Sequence, residues 1–397
     1  MRILFITPQL PHPTQGGAAI RNWHLIDAAR NAGHTVDLLT FGLFQSHDGE
    51  VSASPPVSSD GPRMTARVRH LIRNADPDLA GRLGADALCA TVRDLTARVQ
   101  YDLIQVEGLE MWPSLPDTDI PLLYDAHNAE TTLQQRMARQ AVRDRNFPRA
   151  IYSTIQARKL GRYEGDAIRR AAATIAVSRE DADALERLAP DRPVDVVPIG
   201  VDTTYYDPCA VPATPESAFD LLFTGTMDYR ANADAASWLI RAVWPRVRAV
   251  KPNARLGIVG RSPSASLLRY NGHNGITVTG AVADDRVFMA SAAVYVLPIR
   301  FGAGVRVKLL NAMSMACAVV ATPAATAGIV AVNGTHLIAA DADADVFAAA
   351  VIRLLDDPIR RRTLGKAARA HMCAVYDWAI CTPALLGVYD RLEHDRA

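Results

Sequence analysis

The chain has 397 residues, too many for one ordinary hydrophobic core, so two or three domains are expected. Hydrophobic residues make up 49% and charged residues 21%, values of a folded globular chain rather than a disordered one. Lys+Arg 43 against Asp+Glu 42 leaves a net charge of +1, which removes the basic excess that a nucleic-acid binder relies on.

Residues 2–7 (RILFIT) form a mostly apolar run of the kind buried in parallel strands, with no signal-peptide cleavage site behind it. Residues 8–17 carry three prolines and the Gly16-Gly17 pair, and predict a loop. A helix is predicted over 18–31, stopped by Gly33, and a second strand over 35–41. This βαβ opening favours a doubly wound parallel sheet. The Ser-, Pro- and Asp-rich stretch 46–61 reads as a mobile loop. Strands follow at 101–106, 121–125, 173–177 and 194–198, with a helical stretch over 130–170 broken near Asn146-Phe147-Pro148. Three prolines within 202–217 mark a join, and strand–helix alternation restarts at 220–224. It continues through strands at 255–259, 276–279, 293–297 and 318–321, with an apolar helix over 309–316. No formally charged residue lies between Lys308 and Asp341, but Asn311, Pro323, Gly328 and Asn333 interrupt the stretch, which fits buried core rather than a membrane span. From residue 345 the chain reads as helical, with Tyr376, Trp378, Leu385, Leu386, Tyr389 and Leu392 on one amphipathic face.

The five scattered cysteines form no CxxC and the histidines no HExxH, so neither a disulfide framework nor a structural zinc is expected. Open α/β sheets bind ligands beyond the carboxyl ends of their strands, so the loops after strands are where chemistry is sought. Gly16-Gly17 sits between a strand and a helix, either as an anion-accepting helix N-terminus or as a tight turn; it is not the GxGxxG of a dinucleotide site. Asp125-Ala-His127-Asn128 follows a strand directly, and His127 is either a cleft group or a buried hydrogen-bonded histidine. Gly302-Ala-Gly304-Val-Arg306-Val-Lys308 combines a glycine turn, two cations and a helix start, a diphosphate cradle or else two solvated cations. Arg230 is a third cation of the same site or a surface arginine. Ser178 reads as a helix N-cap. The basic run Arg136, Arg139, Arg143, Arg145, Arg149, Arg158, Lys159 and Arg162, relieved only by Asp144, is a solvated helix face or a contact for anionic lipid or an anionic acceptor.

Taken together, MRILFITPQLPHPTQGG, VVPIGVDTTYYDP, LLFTGTMDYRANADA, PIRFGAGVRVKLLNAMSMACAVVATPAATAGI and the tail AARAHMCAVYDWAICTPALLGVY resemble the retaining glycosyltransferases of family 4 over almost the whole length. The resemblance implies an α/β GT-B fold, two Rossmann-like doubly wound parallel-sheet domains facing across a cleft. Residues 1–203 would bind the acceptor, 204–372 the nucleotide sugar, and 373–397 would cross back to the first domain. It implies a hexosyltransferase-type enzyme that needs no metal and no other cofactor, and that acts with retention in cell-envelope polysaccharide, glycolipid or natural-product assembly. By the same resemblance His127, Arg306 and Lys308 are expected at the reacting centre. Gly16, Gly17, Gly225, Arg230, Gly302, Gly304 and Asn311 are expected on the donor side, and Glu107, Asp125 and Asn128 on the acceptor side. The expected partners are a nucleotide sugar and a sugar, lipid-linked or small-molecule acceptor, with peripheral membrane contact and no nucleic acid. The expected location is the cytoplasm, at the inner face of the membrane. Family glutamates are replaced at Ala303, Asn311 and Ala327, and a family Arg and Lys at Thr226 and Ala231. These departures keep open a weakened or inactive GT-B-fold binding partner, and a nucleotide-sugar epimerase is the remaining alternative.

Overall fold

A computed structural model describes residues 1–13, 16–56, 75–143, 145–212, 214, 217–302 and 304–396. Of the positions singled out above, Asp144, Ala303 and residues 57–61 of the expected loop lie outside them. The chain divides into two compact units, residues 1–198 with 382–397, and residues 199–381. The joins expected at 203–204 and 372–373 lie about five and about nine residues from these boundaries.

The first unit is built on an eight-stranded sheet. Its strands are β1 (Arg2–Thr7), β2 (Thr35–Thr40), β3 (Leu43–Gln45), β4 (Val51–Ser52), β5 (Leu103–Glu107), β6 (Leu122–Ala126), β7 (Ala173–Ala176) and β8 (Val194–Val196), in the order β4-β3-β2-β1-β5-β6-β7-β8. All pairings are parallel except those made by β3 and β4. The apolar run of β1 is explained by its place near the middle: Ile3, Leu4, Phe5 and Ile6 are all buried, as a strand covered on both faces requires. The stretch expected to be loop throughout 46–61 instead contains β4. Gly49, in the left-handed region at φ +86°, lets Ser46 N–H reach the Glu50 carbonyl at 2.8 Å, so the chain turns back onto β3. Further along, Asn146 caps the second of two helices, Glu130–Arg143 and Phe147–Arg170, by accepting from Arg149 N–H.

The second unit holds a six-stranded, wholly parallel sheet. It comprises β9 (Leu221–Thr224), β10 (Leu256–Val259), β11 (Ile276–Gly280), β12 (Val294–Leu297), β13 (Val319–Ala321) and β14 (Ile338–Ala339), ordered β11-β10-β9-β12-β13-β14. The charge-free stretch after Lys308 is core: Leu309, Leu310, Met313, Val319 and Val320 are fully buried. Among the described residues no helix is long and apolar enough to cross a membrane. The helix expected over 309–316 runs from Val307 to Ser314, which brings Lys308 into its first turn.

The single amphipathic face expected for the tail is divided. Tyr376 and Trp378 pack within the second unit, where the Tyr376 carbonyl accepts from Val201 N–H at 2.7 Å and the Trp378 ring fills the space beside Gly200. Leu385, Tyr389 and Leu392 are buried in the first unit. One helix, Trp378–His394, therefore serves two cores, which a helical period cannot reveal.

Candidate functional site

In the first unit β5 and β6 run parallel with Glu107 opposite Asp125. Strand alternation puts Gln105 and Glu107 on one face of β5, and His127 follows the end of β6 directly. The His127 ring places Nε2 2.9 Å from Glu107 Oε2, and Gln105 Nε2 donates to Glu107 Oε1 at 2.7 Å. Asp125 is held by Arg21, one turn into the helix Gly17–Asn31: Nε and Nη2 donate to its two oxygens at 2.9 and 3.2 Å. Arg21 Nη1 donates to the Val197 and Pro198 carbonyls at 2.8 and 3.2 Å. Arg21, Asp125 and Glu107 are fully buried, so each charge there must be matched by an opposite one.

His127 keeps 18% of its side chain exposed. Burial works against a charged ring, but the hydrogen bond to Glu107 and the fields of Asp125 and Glu107 outweigh it and raise His127 to about 8. Burial and then the Asp125 charge push Glu107 up to about 7. One ligand atom from each of Glu107, Asp125 and His127 lies within 4.8 Å of the others. A divalent ion there would have to displace Arg21 from Asp125, because the guanidinium already spans both carboxylate oxygens.

Gly16 precedes the helix at φ +76°, with nothing within 4 Å of where a Cβ would stand, and Gly17 is the first helical residue. Asn128 turns away from this cluster and donates to Glu130 Oε1 at 3.2 Å. The Glu164 carboxylate accepts the N–H groups of Glu130 and Thr131 at 2.9 and 3.0 Å, stabilising the start of that helix. Burial, then Glu110 and Glu164, raise Glu130 to about 7.

In the second unit Lys308 reaches back under β9. Its Nζ donates to the Thr224 carbonyl at 3.0 Å and to Asn232 Oδ1 at 2.8 Å, and lies 5.3 Å from the centre of the Phe223 ring. Only glycine is tolerated above it: a Cβ on Gly225 would stand 2.3 Å from that Nζ. Burial, then the neighbouring Arg306 charge, lower Lys308 to about 7 against a smaller pull from Asp285. Arg306 occupies the position before the helix Val307–Ser314, and its Nε and Nη2 are buried with no hydrogen-bond partner among the described residues. Gly302, at φ +127°, gives the Arg306 guanidinium room, since a Cβ there would meet Nη2 at 2.2 Å. Gly304 also lies in the left-handed region, at φ +76°. Two cations with no ion-pair partner among the described residues, beside a glycine turn and a helix start, are an arrangement suited to an anion.

The other donor-side positions separate from this pair. Asn311 lies one turn further along the same helix, 9% exposed. Arg230 is exposed, packs over the Phe301 ring at 5.3 Å and lines a cavity of about 410 Å³ with Arg241, Ser264 and Tyr270. The expected reacting trio is divided by unit, His127 in the first and Arg306 with Lys308 in the second. Sequence reasoning passed over Arg21, Asn22, Gln105, Asn232 and Tyr389. The polar i, i+2 pair inside the buried strand YDLIQVE was a legible signal for Gln105; Tyr389 lies 284 residues away from it and carries none.

The family described as Glycosyltransferase Family 4 matches residues 15–205, and the one described as Glycosyl transferases group 1 matches residues 218–357. A GDP-mannose-dependent monoacylated alpha-(1-6)-phosphatidylinositol monomannoside mannosyltransferase of Corynebacterium glutamicum is 30% identical over 48% of this chain and 55% of its own length. The match thus spans about half of that relative. A D-inositol 3-phosphate glycosyltransferase of Kineococcus radiotolerans is 28% identical over 98% of this chain and 94% of its own. Among solved structures, sucrose-phosphate synthase from Thermosynechococcus elongatus superposes with a TM-score of 0.73 at 18% identity, covering 99% of both chains. HepE from Anabaena, in complex with UDP-glucose, has a TM-score of 0.61 at 15% identity, covering 98% of this chain and 100% of its own.

Proposed function

The chain belongs to the GT-B-fold glycosyltransferases of family 4, enzymes that move a sugar from a nucleotide-sugar donor, and from that premise we propose a retaining hexosyl transfer that uses no metal ion. The second unit takes the donor diphosphate and the first the acceptor. Arg306 and Lys308 stabilise the departing diphosphate, the role that a divalent ion fills elsewhere. Asn311 takes the donor ribose. His127 meets the transferred sugar, while Glu107, Asp125 and the helix start at Gly16-Gly17 shape its surroundings. Relatives whose names specify GDP-mannose and inositol 3-phosphate, and a neighbour bound to UDP-glucose, support a nucleoside-diphosphate hexose and a hydroxyl acceptor of the envelope-polysaccharide, glycolipid or natural-product class.

The observation that carries this reading is that Arg306 Nε and Nη2 are buried with no hydrogen-bond partner among the described residues. Leaving a charged donor unsatisfied costs roughly 1–3 kcal/mol or more, a cost removed when an anion arrives. The test is a thermal-shift screen with UDP, GDP, ADP and their sugars. A ligand at 100 times its Kd adds about 2.7 kcal/mol, enough to see as a raised Tm. No shift with any of them, or an equal shift in Arg306→Ala, refutes the assignment. The replacement of a glutamate by Asn311 favours a second reading, a binding protein without turnover; detectable hydrolysis of a nucleotide sugar by the purified chain rules that out.

The proposal extends to peripheral membrane contact on the cytoplasmic face. Val142, Phe147 and Ile151 are 54%, 61% and 62% exposed around the junction of two helices, among Arg139, Arg145 and Arg149. Apolar tips ringed by guanidinium groups suit an anionic bilayer surface. Co-sedimentation with phosphatidylglycerol vesicles but not phosphatidylcholine ones is the expected result, lost in Phe147→Asp/Ile151→Asp.

A further inference from the structure

Among the described residues Glu107 is met by two amide donors and by the His127 ring. Oε1 accepts from Gln105 Nε2 at 2.7 Å. Oε2 accepts from His127 Nε2 at 2.9 Å, and with the Asn22 amide oriented so that both its ends are satisfied, from Asn22 Nδ2 at 2.8 Å. That orientation also lets Asn22 Oδ1 accept from the Thr7 hydroxyl at 2.7 Å. The two amide donors hold the carboxyl as an acceptor, against the burial and the Asp125 charge that push it up to about 7, and while ionised it obliges His127 to carry a proton on Nε2. Nδ1 is then the ring nitrogen left for a ligand, because Nε2 is the one with a protein partner among the described residues.

What holds the carboxylate's surroundings in that sense is Gln105. A carboxamide can present either end to Glu107, and the wrong end would set oxygen against oxygen. The far end of the amide is held by Tyr389, whose hydroxyl donates to Gln105 Oε1 and so leaves Nε2 for Glu107. Tyr389, on the terminal helix, is fully buried, as are Gln105 and Glu107 in a strand whose other members Leu103, Ile104 and Val106 are apolar. A buried polar chain of this kind is costly unless every member is satisfied, and here each link is.

We propose that Tyr389 and Gln105 are positioning residues for His127: acting through Glu107, they fix the ring with its proton on Nε2 and present Nδ1 to the ligand. The claim that Nδ1 meets the transferred sugar rests on the functional reading above; the claim that Tyr389 sets the protonation of His127 does not. Asp125 and Arg21 face the same cluster from β6 and from the first helix; the Asp125 charge raises both Glu107 and His127, and Arg21 works against it at each. Raising of His127 above the ordinary histidine value agrees with an ionised Glu107.

The experiment uses the full chain labelled with ¹⁵N-histidine, the His127 signals being assigned by their loss in His127→Ala. Long-range ¹H–¹⁵N spectra report protonation of each ring nitrogen directly, with or without turnover. In wild type, His127 should hold its Nε2 proton across the whole titration. Tyr389→Phe keeps the ring and removes only the donor. Gln105 Oε1 is then left buried without its donor and the amide is held less firmly on Glu107, which favours the protonated carboxyl, so the His127 titration should fall by about one pH unit and both neutral tautomers should appear. Gln105→Leu is the second variant and should do the same. Unchanged His127 spectra in both variants overturn the proposal. If a transferase assay is in hand, Tyr389→Phe should lower kcat about tenfold with donor KM unchanged, and should have no further effect in a His127→Ala background. Additive losses in that double variant would reduce Tyr389 to a structural role. Altered spectra in a chain that transfers no sugar would leave the relay standing and sink the functional reading instead.

Discussion

If Lys308 holds the donor diphosphate as proposed, donor binding should be tied to a proton. Its ammonium has left water for two neutral acceptors, the Thr224 carbonyl and Asn232 Oδ1, with a second cation, Arg306, for a neighbour. Burial and that neighbour lower it to about 7. A lysine whose folded value lies below its unfolded one binds fewer protons in the folded chain. Between pH 7 and about 10.5 this group therefore makes the unliganded protein more stable as pH rises. A diphosphate reverses the preference, because its charge restores the ammonium. At pH 8 only about one tenth of Lys308 is protonated before binding, so about 0.9 proton should be taken up with the ligand. Donor affinity should accordingly fall about tenfold for each pH unit above 7 and level off below about 6. The assay is titration calorimetry with a sugar nucleotide, whose diphosphate has no group titrating in this range, in two buffers of different ionisation enthalpy. The slope of apparent enthalpy against buffer enthalpy reads the proton count. Lys308→Met should bind weakly and with no uptake. Tight binding at pH 8 without uptake, or the same uptake in Lys308→Met, would show that Lys308 does not face the donor.

Arg306→Ala should depress turnover about 10²–10³-fold, the usual cost of losing one preorganised contact to a developing charge, and steady-state kinetics at saturating donor would read it. Asn311→Glu should tighten donor binding, since a carboxylate accepts ribose hydroxyls more strongly than an amide, and an unchanged Kd would mean that side chain points elsewhere. Gly302→Ala should weaken donor binding as much as Arg306→Ala does, because its Cβ would stand 2.2 Å from the Arg306 guanidinium in a backbone conformation that alanine disfavours. Activity should survive a chelator; an absolute requirement for Mg²⁺ or Mn²⁺ would contradict a cradle made only of cationic side chains.

Much of the architecture could be read from local pattern alone. Continuous apolar runs such as RILFIT and DLLFT are what strands covered on both faces require, and they mark β1 and β9 to within a residue. Glycines beside cations likewise singled out Arg306 and Lys308, which the fold sets together at the start of one helix. The short strands β3, β4 and β14 were not legible, because two or three residues carry no period. Nor could the chain order show that one terminal helix is shared by two cores, or that Tyr389 reaches Gln105. Composition and spacing act over a few residues and therefore determine which segments are buried and which turns admit a ligand. The partner of a buried polar group is chosen by whatever donor or acceptor the packed fold brings within about 3 Å, so only tertiary structure decides which protons and charges end up together.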